Sequence, residues 1–324
     1  MSRSLRAHLL LFAVVAAWGA SFVLVKNAFR DISPMLFNFL RMAIAFLVLA
    51  ILYRREWRSM RRRTLAAGAM VGLFLFLGYE FQSAGLRLTT PSKSAFLTGL
   101  TVVLVPMLAV VPALRRSDAP APRWNTWMGA LLAFAGIVLL TTQPALPAAG
   151  SAFTFIDLGS FSLGDGLTLG CSLAFALHII AQDRILGAFP SPQGAEEAAI
   201  PFQQLAVLQV GFSALAMGIA EPFLEKPRFH PSPTAVLAVA VASILCTAAA
   251  FTIQSWVQQF LPPTHLALIY AFEPVFAWFT SLLFLGQGMG ARAALGALSI
   301  LAGIAAAQSF RGLRTPSPEG IPSL

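Results

Sequence analysis

The sequence predicts an all-α integral membrane protein of ten transmembrane helices, arranged as two inverted five-helix repeats. Ten long apolar runs separated by short polar breaks fill most of the 324 residues. Hydrophobic residues make up 57% of the chain and charged residues 11%, with a mean hydropathy of +0.76; a soluble domain is about one quarter charged. A stretch containing Pro, Gly, Ser and Asp157, residues 144–163, divides the runs five and five.

The runs are 8–28, 34–53, 65–86, 94–114, 126–143, 164–185, 201–221, 234–258, 265–285 and 290–309. Each is near the ~20 residues that a helix needs to cross roughly 30 Å of hydrocarbon, where only a helix or closed barrel satisfies its own backbone. The first follows Arg3 and Arg6 and continues past Ala16–Ala20 to Val25, which favours an uncleaved span over a signal peptide. The second opens at Pro34 and stops before Arg54. The third follows Arg61–Arg63 and ends before Arg87, and the fourth lies between Pro91 and Arg115. The fifth comes after Arg123, the sixth ends before Pro190, the seventh opens at Pro201 and the eighth follows Pro233. The ninth follows Pro262 and Pro263, and the tenth follows the Gly286–Gly290 break. Proline, glycine and charge at these positions are ordinary helix-end signals.

This gives a first repeat over 8–143, an external loop over 144–163, a second repeat over 164–309 and a cytoplasmic tail over 310–324; residues 187–199 form a cytoplasmic link. Five spans per repeat is an odd number, so related halves lie inverted, as in many secondary transporters. With the N-terminus inside, fourteen basic residues fall on the cytoplasmic side and seven outside, with a dense group from Arg54 to Arg63. That bias places both termini in the cytoplasm, with a bacterial inner membrane as the setting. The same arginines suit anionic lipid headgroups.

The net charge of +9 does not imply nucleic acid, because 19 of the 22 basic residues are arginines that sit mostly in the breaks between spans. Cys171 and Cys246 lie inside apolar runs, far from metal-binding spacing, and read as small packing residues. No metal or cofactor is expected.

An ionisable residue inside a span costs a few kcal/mol or more and normally faces a cavity or a partner. Glu273, at mid-depth of the ninth span and followed by Pro274, is the strongest candidate. Proline removes an N–H and breaks the helix, leaving the Tyr270 carbonyl free beside the carboxylate, where a proton, an amine or a cation would bind. Glu80 lies in the outer half of the third span; its expected partners are Arg41 and Lys26, and both a salt bridge and a substrate site fit. Lys26, Arg41 and Lys93 are read as gating or structural charges. His178 suits either a proton relay or a bond to a backbone carbonyl. Gln254 and Gln258 share a face at i, i+4 and either line a pore or meet water near a helix end. Trp18, Tyr79 and Tyr270 are candidate aromatic walls. Pro106 is expected to break the fourth span as Pro274 breaks the ninth. Gly129, Gly136, Gly296 and Gly303 suit close helix contact within the scaffold or at a dimer surface.

Several blocks carry a family resemblance. Trp18-Gly19-Ala20-Ser21-Phe22 with Lys26, Gly78-Tyr79-Glu80-Phe81-Gln82, Pro91 to Leu100, Val103-Leu104-Val105-Pro106, Leu245 to Phe251 and Glu273 to Ala277 stand in the right order on the right spans. The chain resembles the drug/metabolite transporter superfamily, in its ten-span EamA-type branch, from about residue 8 to residue 309. The resemblance implies a basket of two inverted repeats around a cavity lined by spans 1, 3, 4, 6, 8 and 9. It also implies export or exchange of small metabolites or drugs, and it adds Gln82 to Trp18, Glu80 and Glu273 as cavity residues. Family members commonly carry an acidic residue soon after the ninth span, where this chain has Gly286-Gln287.

The resulting expectation is a secondary transporter of small, amino-acid-like or drug-like metabolites, working by alternating access in the lipid bilayer as a monomer or homodimer, with the proton as a candidate coupling ion. The alternative is an uncoupled permease. An intramembrane lipid-modifying enzyme is disfavoured, since no HExxH, GxSxG or close carboxylate pair lies in the spans.

Overall fold

Local chemistry sets where the helices begin. Pro34, Pro233 and Pro263 stand in the first turn of their helices, where the missing N–H costs nothing and φ is already helical. Ser162 and Asp165 form a reciprocal box: Asp165 N donates to Ser162 Oγ at 3.2 Å and Ser162 N to Asp165 Oδ2 at 2.8 Å.

The structure, a computed structural model, describes residues 3–88, 94, 97–115, 121–141, 162–186, 200–259, 261–285 and 291–308. Nearly all of the expected loop 144–163, the link 187–199, the tail 310–324, Lys93 and Gly286-Gln287 lie outside the described residues. The helices are α1 (Arg3–Ala28), α2 (Pro34–Leu52), α3 (Arg62–Leu88), α4 (Thr101–Val110), α5 (Trp124–Thr141) and α6 (Leu163–Leu186). They continue as α7 (Phe202–Leu224), α8 (Pro233–Ser243), α9 (Ala250–Val257), α10 (Pro263–Tyr270), α11 (Glu273–Leu285) and α12 (Ala291–Gln308). A π-helical segment, Ile244–Ala249, joins α8 to α9 as one eighth span, and α10 and α11 form a broken ninth. Among the described residues there is no strand, only a lone bridge between Ile32 and Phe229. The first, second, third, sixth, seventh and eighth spans are each long and apolar enough to cross a membrane unaided. Exposed Ile51, Leu163, Ile219 and Phe223 give the bundle a lipid-facing surface.

The fourth span differs from expectation. Helix α4 runs unbroken through Pro106, which is buried within it. Transmembrane helices tolerate such a proline when neighbours take up the freed backbone groups.

Two apolar clusters form the interior. They are the largest of four: one draws on the first, fourth, fifth, sixth, ninth and tenth spans and the end of the eighth, the other on the second, third, seventh and eighth. Each therefore pairs a span with the one five places later, so the repeats interdigitate instead of standing side by side. The fifth and tenth spans pack backbone to backbone. A Cβ at Gly129 would lie 2.6 Å from the Gly303 carbonyl oxygen, and one at Gly136 would lie 2.5 Å from that of Gly296. Asn125 Nδ2 and Ser299 Oγ donate across the same seam to Ala307 O at 2.9 Å and Leu132 O at 2.7 Å. These glycines thus join two helices of one chain.

Candidate functional site

The π segment frees main-chain acceptors in the middle of the bundle, because an i to i+5 turn interrupts the α-helical ladder. Thr247 Oγ1 donates to Ala242 O, five residues back, at 2.8 Å. Cys246 O accepts from Trp18 Nε1 at 2.8 Å and from Arg41 Nη2 at 3.3 Å. Arg41 Nε donates to Thr247 Oγ1 at 3.0 Å, and its Nη2 also reaches Tyr79 OH at 3.3 Å. The guanidinium lies 4.6 Å from the centroid of the Tyr79 ring, a cation–π distance. Four spans thereby fix one buried cation using neutral partners.

The break in the ninth span stands opposite. Phe272 N reaches Ile269 O and Val275 N reaches Phe272 O, both at 3.0 Å, so the chain turns tightly between Tyr270 and Glu273. Gly19 allows this turn to touch the first span: a Cβ there would meet Phe276 Cβ at 2.5 Å and Glu273 O at 2.9 Å. Trp18 packs edge-on against Tyr270, ring centroids 5.0 Å apart, and tilts against Phe251 at 6.2 Å. Trp18, Tyr79, Tyr270 and Glu273 are half-buried inside the bundle. Arg41 is the cation whose charge acts on Glu273, and the two form no ion pair within 4 Å. The Tyr270 hydroxyl has no hydrogen-bond partner among the described residues. The arrangement offers a guanidinium for an anionic group, a carboxylate for a cationic one and aromatic faces for an apolar body. Gln82 is half-buried one turn from Tyr79 on α3.

A second polar assembly lies deeper in the sixth, seventh and eighth spans. His178 Nε2 bonds Gln209 Oε1 at 2.8 Å, and Gln209 Nε2 donates to Ser255 Oγ at 3.0 Å. Gln182 Nε2 donates to the same hydroxyl at 2.5 Å, while Ser255 Oγ donates to Phe251 O at 2.7 Å. Gln254 Nε2 donates to Gln182 Oε1 at 2.9 Å, and Gln258 Nε2 to Ile179 O at 2.9 Å. The partner of His178 is thus a side-chain amide, not the expected carbonyl. Gln254 and Gln258 are fully buried and do not meet water at a helix end. Gln182 and Gln209 were absent from the sequence candidates, although a glutamine inside an apolar run is itself a signal.

The expected pairing of Glu80 does not form. Arg41 turns to the eighth span, whose π segment offers it two neutral acceptors, and Lys26 is exposed at the end of α1. Both carboxylate oxygens of Glu80 are buried without a hydrogen bond among the described residues. Closer to that end of the bundle, Arg87 pairs with Glu225 at 3.0 Å, and Glu225 Oε2 accepts Met35 N at 2.9 Å. The loops 29–33 and 225–232 are tied together there. Ser33 N donates to Arg228 O at 2.9 Å, His230 N to Asp31 O at 2.7 Å and Ser232 Oγ to Asp31 Oδ2 at 2.6 Å. Arg228 also donates to the carbonyls of Arg30 and Phe29, at 2.5 and 3.2 Å. Away from this latch, Arg6, Leu10, Tyr53, Phe202, Thr252, Ile253 and Trp256 line a cavity of about 230 Å³. No group of three His, Cys, Asp or Glu side chains among the described residues could hold a metal.

Two interdigitated five-span sets of apolar helices define a multi-span membrane protein. The chain belongs to the EamA-like transporter family, whose profile matches residues 5–142 and 162–307 and so covers both sets of five spans. It is similar to an uncharacterized transporter of Archaeoglobus fulgidus, 28% identical over 285 residues, covering 88% of this chain and 80% of the relative. A second uncharacterized transporter of the same organism is 24% identical over 309 residues, covering 92% and 96%. A protein of known crystal structure matches with a TM-score of 0.70 over 95% of this chain and 98% of its own, at 19% identity, which speaks to fold alone.

Proposed function

We propose that this permease is a secondary transporter that exports or exchanges small zwitterionic, amino-acid-like metabolites by alternating access, with the substrate held between Arg41 and Glu273. The observation that carries the reading is a buried guanidinium and a half-buried carboxylate whose charges act on each other without pairing, next to an unpartnered Tyr270 hydroxyl. A substrate carboxylate matches the guanidinium fork, its amine matches Glu273, and the rings of Trp18 and Tyr270 accept an apolar side chain. Helix breaks that place such groups at mid-depth are the usual construction of transporter sites. The arginine bias assigns the termini and the Arg54–Arg63 segment to the cytoplasm.

The test is uptake by the reconstituted protein of a radiolabelled panel of amino acids, monocarboxylates and monoamines, with and without a pH gradient. Zwitterions should be carried best, and R41Q and E273Q should each lower their uptake at least tenfold, about 1.4 kcal/mol. Preference for singly charged compounds, or unchanged uptake in both variants, overturns the reading. Flux indifferent to the pH gradient identifies an uncoupled permease.

A further inference from the structure

Helices α2, α3 and α7 meet, in the halves next to the 29–33 and 225–232 loops, around a column of polar side chains that the substrate site does not use. Its outer end is the Arg87–Glu225 pair, 3.0 Å long, with the arginine side chain 51% exposed. Glu221 lies one turn further in on α7. Asn38 and Ser83 lie one turn further in on α2 and α3, joined by an Asn38 Nδ2 to Ser83 Oγ bond of 2.8 Å. Glu80 is innermost, about 10 Å below Arg87 along α3 at 1.5 Å per residue. It is 6% exposed with both oxygens unpartnered among the described residues, and Glu221 is 8% exposed with its Oε1 unpartnered.

Among the described residues, no cation pairs with Glu80. Glu221 and Glu225 on α7 are both acids. Arg87 is taken by Glu225, and Arg41 on α2 is turned to Thr247, Cys246 O and Tyr79. On α6, Asp165 receives Ser162 N and His178 is bound to Gln209. A buried carboxylate without a cationic partner is made neutral most simply by taking up a proton. The neighbouring Asn38 amide gives one N–H to Ser83 Oγ and turns the other toward Glu80; one amide and one hydroxyl form no oxygen cage for a metal cation, whereas a proton needs only one carboxylate.

We propose that Glu80 is a proton-binding site, filled from the 225–232 face by way of Glu225 and Glu221, and separate from the substrate site at Arg41 and Glu273. The adjacent residue on α3, Tyr79, carries the Arg41 guanidinium on its ring and hydroxyl, so a proton on Glu80 sits one residue from the clamp. The site stands on its own geometry; its link to transport rests on the substrate reading above.

The experiment is pH-difference infrared spectroscopy of the full-length protein in liposomes, with the proton as the only ligand. Wild type should show a protonated-carboxyl C=O band that vanishes as pH rises. E80Q should remove it, E221Q should move its midpoint and E273Q should leave it in place. E80D, one methylene shorter, should shift the midpoint, so an unshifted band counts against the site even where E80Q fails to fold. Persistence of the band in E80Q overturns the proposal, as does a band that follows sodium at fixed pH. The readout involves no substrate, so its failure is distinct from failure of the uptake panel.

Discussion

Ser255 sets the direction of the amide chain around it. Its single hydrogen goes to Phe251 O, so both Gln182 and Gln209 must offer it their NH2 groups. The Gln209 oxygen then faces His178, whose Nε2 must carry the hydrogen. Ser255→Ala leaves two buried donors without an acceptor, and a loss of about 2 kcal/mol follows from the cost of unmade buried bonds; thermal denaturation of the purified protein should show the lower midpoint. Arg41→Lys keeps the charge but loses the fork that reaches Thr247, Tyr79 and Cys246 O together. Zwitterion uptake should fall about tenfold in this variant while the melting midpoint holds within a few degrees. Arg41, Glu273 and Trp18 were legible as candidates because charge and bulky aromatics inside apolar runs stand out. Their partners were not, since Cys246 O belongs to the main chain and becomes available only through a distortion 205 residues from Arg41.

Two elements depart from regular helix, and they differ in how openly the sequence announced them. The ninth span breaks at Ala271-Phe272, just ahead of Pro274, whose missing N–H cannot continue the ladder from the preceding turn. The π segment Ile244–Ala249 carries no comparable signal: its residues are small and apolar, and its extra residue is stabilised by what it binds from α1 and α2. Deleting Ala249 should restore a regular ladder, withdraw the Cys246 carbonyl and abolish uptake, while size-exclusion chromatography still shows a monodisperse protein. Pro106 behaves oppositely, since α4 absorbs it without stopping. At the fifth and tenth spans, Gly129→Leu would force apart backbones that now approach to Cβ distances of 2.6 Å. The melting midpoint should drop by more than for Gly170→Ala, whose Cβ would meet only the movable Phe81 ring at 3.0 Å.

At the scale of the molecule, the two largest apolar clusters each combine both repeats, and the candidate site sits where they meet. Trp18, Tyr270 and Glu273 belong to spans of the first cluster; Arg41, Tyr79 and Cys246 belong to spans of the second. Relative motion of two such bodies would open and close the gap between guanidinium and carboxylate. The 29–33 and 225–232 latch ties them at one end, so weakening it should favour the state open on that side. In Asp31→Ala with Arg228→Ala, a cysteine placed at Ser33 should react several-fold faster with a membrane-impermeant maleimide than in the parent. An unchanged rate would mean that the latch does not hold the loops.

The sequence by itself determined the all-helical, multi-span fold, because hydrocarbon thickness and helix geometry leave a run of apolar residues almost no other structure, and its motif blocks determined the family. It also marked which residues were costly enough to need a reason. Which polar group meets which was decided only by the tertiary structure, since partners lie on helices brought together by packing. Arg41 had Glu80 within plausible reach and turned instead to an eighth-span carbonyl, which left Glu80 buried with no cationic partner among the described residues.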